Sequence, residues 1–140
     1  MDKALNYLAL ARKAGLAELG EEPVNAITRA GKGCLVIVAS DASGHTWRRA
    51  NSFVAGTNQV CLQVPYTKDE LGFIIGRKEL AIAALTDPAL AASFVKALPQ
   101  TENLIPVLES LAKRTARIQQ RQSEAKAHKR NKDIGKRKKN

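Results

Sequence analysis

The 140-residue sequence is short of the groups from which most catalytic centres are built: it has two cysteines and two histidines. Cys34 and Cys61 both fall in apparent strands instead of a close-spaced ligand pattern, so they read as small buried hydrophobes in a reducing cytoplasm. Neither a disulfide nor a metal site is expected. His45 would have to serve a hydrolase alone, because His128 lies in a tail expected to be disordered. Asp41, Ser43 and His45 sit too close along the chain for a catalytic triad. No apolar run is long enough for a membrane helix, and the opening MDKALNYLALARKAG is amphipathic and broken by charge, unlike a signal peptide. Phosphate-loop and dinucleotide fingerprints are missing too, since Gly31-x-Gly33 precedes a strand instead of following one. A non-enzymatic, cytoplasmic protein with no cofactor, metal or small-molecule substrate is expected.

Acidic residues are scarce at the C-terminal end. Residues 1–112 carry eleven Lys/Arg and eleven Asp/Glu, whereas residues 113–140 carry twelve Lys/Arg against only Glu124 and Asp133. The formal net charge of +10 therefore belongs to the tail. Such an arm neutralises phosphates and releases counterions, which gives salt-dependent, sequence-independent affinity for nucleic acid; the alternative is a solubilising end. The chain divides accordingly. Residues 1–112 form one domain of ordinary size, for which 44% apolar residues supply a single core. Residues 113–140 form a basic tail, helical in part through Arg114, Arg117 and Arg121 and disordered beyond about Lys126.

What is present is organised around CLVIVASDASGHTWRRAN, Cys34 to Asn51. Leu35-Val36-Ile37-Val38 reads as a strand covered on both faces. Ala39 to Ser43 supplies a strand-to-helix turn in which Asp41 or Ser43 can cap the following helix, of about residues 44–55. A ligand site and a plain βα connection are both compatible with this turn. Upstream, helical spacing from about Asp2 to Ala14 ends at Gly15, Ala17-Glu18-Leu19 is a short edge strand, and Glu21 and Glu22 precede Pro23 at the first position of a second helix to Ala30. Downstream come a strand at Val60-Cys61-Leu62 and a capping box, Thr67 with Glu70, opening a helix over Leu71–Ile75. A charged loop, Gly76 to Glu79, leads to a strand over Leu80–Leu85; Asp87-Pro88 opens a helix to about Leu98, and one more begins after Glu102. This alternation predicts a three-layer α/β/α sandwich with a mixed sheet of about four strands.

Taken together, LARKAG (residues 10–15), Gly20-Glu21-Glu22, Gly31-Lys32, LVIVASDAS (35–43), Thr46, VPY (64–66), TKDELGFIIGRK (67–78) and Ala84-Leu85-Thr86-Asp87 resemble the kink-turn RNA-binding ribosomal protein superfamily. Its members include the seven-A-e and thirty-e type large-subunit proteins, and this chain looks most like the bacterial YlxQ-like branch. The resemblance spans about Leu5 to Leu98. It implies a monomeric α/β/α protein that binds sharply bent, structured RNA, ribosomal RNA included. In the family the turn before the second helix and that helix's N-terminus address tandem G·A pairs, which maps onto Gly20, Glu21, Glu22, Asn25 and Arg29. The loop after the fourth helix packs on the bulge, which maps onto Gly76, Arg77, Lys78 and Leu80, with Asp41 nearby and Lys32 as a further cation. The chain departs from the family where it has Glu22-Pro23 for an Asn-Glu pair and Ala26 for a lysine. Two other classes stay open: a protein-interaction module on the same fold, and a detached RNA-substrate-recognition domain.

Overall fold

The structure is a computed structural model that describes residues 2–99, 104–117 and 120. It runs α1 (Lys3–Lys13), β1 (Ala17–Leu19), α2 (Glu21–Arg29), β2 (Leu35–Val38), α3 (Gly44–Val54), β3 (Val60–Gln63), α4 (Lys68–Ile74), β4 (Ile82–Leu85) and α5 (Pro88–Lys96). A last helix, α6, follows at 105–117. The sheet order is β1-β4-β2-β3. β4 is antiparallel to β1 and β2, while β2 and β3 are parallel.

The period of two along each strand decides the layers. Leu35 and Ile37, with Ala83 and Leu85, face one cluster built by α1, α4, α5 and α6. Val36 and Val38, with Ile82 and Ala84, face a second cluster against Val24 of α2 and Ala50 of α3. All four β2 residues are buried, as a strand covered on both faces requires. Burying side chains of this size contributes about 1.5–3 kcal/mol each. The expected sandwich and four-stranded mixed sheet are therefore present.

Local signals place most boundaries. Asp2 caps α1 by accepting from the Ala4 N–H at 2.9 Å, and Gly15 follows the helix with φ 73°. Asp87 caps α5 through the Leu90 N–H at 2.8 Å. Pro23 stands third in α2, not first, because the helix already starts at Glu21; its missing N–H is still one that no carbonyl of the helix needs. The final strand is shorter than its apolar run, since Leu80 and Ala81 belong to the preceding loop.

α6 extends the packed structure past residue 112. Leu104, Val107 and Leu111 enter the first cluster, and the Arg114 guanidinium donates to the Gly33 carbonyl at 2.7 Å. The expected helix at Arg121 and disorder beyond Lys126 lie outside the described residues.

Candidate nucleic-acid interface

The strand directions gather the connections at one end of the sheet. β1, β2 and β3 run the same way and β4 runs opposite. The N-termini of α2, α3 and α4 therefore share an end with the loop that enters β4. Helix N-termini present free N–H groups and a positive dipole end, which suit anions. Two of the three are closed by the chain itself. Ser43 accepts from the Thr46 N–H at 3.2 Å at the start of α3. α4 has its reciprocal Thr67–Glu70 box at 3.2 Å each way, and Asp41 Oδ1 also accepts from the Lys68 N–H at 2.8 Å. The expectation that Asp41 or Ser43 caps α3 thus resolves: Ser43 does, and Asp41 caps α4 instead.

α2 is different. Its N-cap is Gly20, at φ 98° and ψ 164°, with no side-chain cap. That conformation is open to glycine and strained for other residues. The Gly20 N–H donates to the Ile82 carbonyl at 3.0 Å, which ties the start of α2 to the first residue of β4. Gly20 and the loop at 76–80 are thereby brought to one end of the molecule, although they lie far apart in sequence.

On α2, Glu22, Asn25, Ala26 and Arg29 follow helical spacing on one face. With Glu21 and Arg49 of α3 they line a groove of about 430 Å³. Asn25, Thr28, Arg29, Arg49, Ser52 and Phe53 line an adjoining hollow. Arg49 pairs with Glu21 and lies 5.2 Å from the centroid of the Phe53 ring. Both partners of the pair are about 40% exposed (42% and 39%), so solvent screens it and its role is chiefly positional. It offsets one of the two carboxylates at the helix start. The sequence motifs leave out Arg49, because its place against Glu21 exists only once α2 and α3 share a face of the sheet.

The loop after α4 folds back tightly on that helix. The Arg77 N–H donates to the Gly72 carbonyl at 2.8 Å and the Leu80 N–H to the Lys68 carbonyl at 3.0 Å. Gly76, Arg77, Lys78 and Glu79 are exposed. Leu80 is 3% exposed and packs in the first cluster, so its side chain serves the core instead of facing a ligand. Lys32 is also displaced from the group. It follows the C-terminus of α2, ahead of β2, at the opposite end of the sheet. The structure thus gathers Gly20, Glu21, Glu22 and Asn25 at the start of α2, Asp41 beside α4, and Gly76, Arg77 and Lys78 on the loop at the same end, while Arg29 lines the same α2 groove from the last residue of the helix.

Nothing in this arrangement resembles an activated nucleophile. Burial pushes both the Cys34 and Cys61 thiols up from their ordinary value, which keeps them protonated at neutral pH. Among the described residues no cluster of three or more His, Cys, Asp and Glu could hold a metal, and no helix is long and apolar enough to cross a membrane.

No protein-family model matches the chain, and neither does any curated protein. Solved structures do match. A protein of unknown function from Bacillus halodurans superimposes with a TM-score of 0.64 at 27% identity, covering 69% of this chain and 97% of its own. The Giardia lamblia 15.5kD RNA-binding protein superimposes with a TM-score of 0.58 at 17% identity, covering 78% of this chain and 87% of its own. The chain therefore shares its fold with an RNA-binding protein.

Proposed function

We propose that the chain is a non-enzymatic RNA-binding protein that recognises kink-turn or similarly bent, structured RNA, ribosomal RNA included, and works as a cytoplasmic monomer. The observation that carries this is the open start of α2. Alone among α2, α3 and α4, which begin at that end, it has no side-chain cap, and it is hydrogen-bonded to the strand that the cationic loop enters. The likeness in fold to an RNA-binding protein supports the same reading.

The chemistry follows from the residues. The N–H groups of Glu21 and Glu22 are free to donate to phosphate or base oxygens. The Glu22 carboxylate accepts from guanine amino groups, Asn25 both donates and accepts, and Arg29 supplies a charge. Arg77 and Lys78 contact the backbone beside the bulge, while Arg49 offsets Glu21 so that the helix start does not repel phosphate twice. Ala26 contributes no donor, which leaves the helix contact weaker than a lysine would make it.

The test is a titration of the full chain against a kink-turn RNA and a copy whose G·A pairs are replaced by Watson–Crick pairs. Tighter binding of the kinked RNA is expected. Equal affinity for both would remove the kink-turn assignment and favour a protein-interaction module on this fold.

A further inference from the structure

The end of the sheet remote from the start of α2 carries cations that the proposed function does not use. α1 finishes there with Arg12 and Lys13, Lys32 follows α2 there, and α6 passes there with Lys113, Arg114 and Arg117. Backbone hydrogen bonds align these segments. The Thr86 N–H donates to the Leu16 carbonyl at 2.9 Å and the Cys34 N–H to the Leu85 carbonyl at 2.8 Å, so the start of β1, the end of β4 and the start of β2 lie side by side. Arg114 then reaches the Gly33 carbonyl at 2.7 Å, next to Lys32. Arg117 stands one helical turn beyond Arg114 on the same face and so continues past the edge of the packed layers. Lys13, Lys32, Lys113 and Arg117 are exposed, whereas Arg114 is partly buried.

Helix ends account for part of this charge. Cations in a last turn complement a C-terminus worth about −0.5 charge, or about −1 for α1 and α2 together. The carboxylates toward this end are Glu18 and Asp87, and Asp87 is held in the cap of α5. Six cations exceed these opposing charges by more than two. The other end differs, since Glu21, Glu22, Asp41 and Glu70 are mixed among its cations. The balance of charge in residues 1–112 therefore hides a separation along the molecule. Nine further Lys/Arg follow Arg117 in sequence.

We infer that this end is a second phosphate-binding surface, separate from the α2 groove, that takes the backbone of duplex RNA without reading its sequence. The cations are spread across a sheet of four strands, about 14 Å wide, instead of converging on one hollow, which suits a run of phosphates over a single anion. Single strands are held by exposed aromatic platforms, and the one large exposed aromatic among the described residues, Phe73, lies on α4 beside Leu5 instead. A protein with both surfaces holds two RNA segments at once, the bent one at the start of α2 and a plain stem at the far end.

The inference does not depend on the kink-turn reading, and one experiment separates them. The full chain is titrated at several salt concentrations against a plain RNA duplex without bulges, as wild type and as Lys13→Gln/Lys113→Gln/Arg117→Gln. The expected result is a slope of log K against log salt shallower by about three, about one for each phosphate that the variant no longer neutralises. The preference for kinked over Watson–Crick RNA stays unchanged. A variant that instead carries Lys13→Arg, Lys113→Arg and Arg117→Lys keeps the wild-type slope, which distinguishes lost charge from altered packing. An unchanged slope in the glutamine variant, with its thermal melt intact, would overturn the inference and leave these cations as partners of helix ends only. A slope that responds in a protein with no kink-turn preference would sink the proposed function and leave this surface standing.

Discussion

At Ile37 the side chain is fully buried in the middle of β2, facing α1 and α5, and its neighbour Val36 is as deeply buried against α2 and α3. Neither site offers an aspartate a partner or a route to water, so Ile37→Asp and Val36→Asp should each cost several kcal/mol. Loss of the cooperative thermal melt in both variants is the expected outcome, and a normal melt in either would contradict the two-faced central strand. The thiols give a second residue-level expectation. Desolvation raises the Cys34 and Cys61 thiols in the folded state, so the unfolded chain ionises first as pH rises. Their contribution to stability is then fully present below the ordinary thiol value of 9.0 and is lost above it. Melting temperature measured from pH 7 to 10 should fall more steeply in wild type than in Cys34→Ala/Cys61→Ala.

Among the elements, those whose ends are set by neighbouring residues were legible in the sequence. The Thr67–Glu70 box, the Asp87-Pro88 start and the β-branched run of β2 each depend on a few adjacent positions, and each forms where it was expected. Three features of the site depend on distant contacts and were not legible. Arg49 meets Glu21 only because two helices share a layer, Leu80 is drawn inward by its backbone bond to Lys68, and Lys32 is carried away by the length of α2. Gly72 shows how closely such contacts are set. A Cβ there would come within 2.6 Å of the Glu79 Cα and 2.9 Å of the Arg77 carbonyl oxygen. Gly72→Ala should therefore push the Arg77–Glu79 loop off α4 at a cost of about 1–3 kcal/mol. Both a lower melting temperature and weaker binding of kinked RNA are expected. A lower melt with unchanged RNA preference would mean that the loop makes no contact with RNA.

Over the whole molecule, the two ends of one sheet divide the work. On the proposed reading, the N-terminal end of α2 would select RNA by shape, and the far end would supply affinity that does not depend on sequence. α6 packs Leu111 and Arg114 into the fold, so a truncation that preserves the domain ends after residue 117. Removing residues 118–140 should flatten the salt dependence of binding while the preference for kinked RNA persists. An equal loss for every RNA, with no residual preference, would assign all binding to the tail.

The most direct measurement of the central claim is the gap in binding free energy between a kink-turn RNA and its Watson–Crick copy, followed through two opposed variants. Arg77→Ala/Lys78→Ala removes two exposed cations from the loop, and the gap should shrink by about 1–3 kcal/mol while plain duplex binding changes little. Ala26→Lys adds a donor and a charge to the groove on α2, and the gap should widen. A gap that neither variant moves would contradict the claim that this end of the sheet reads bent RNA.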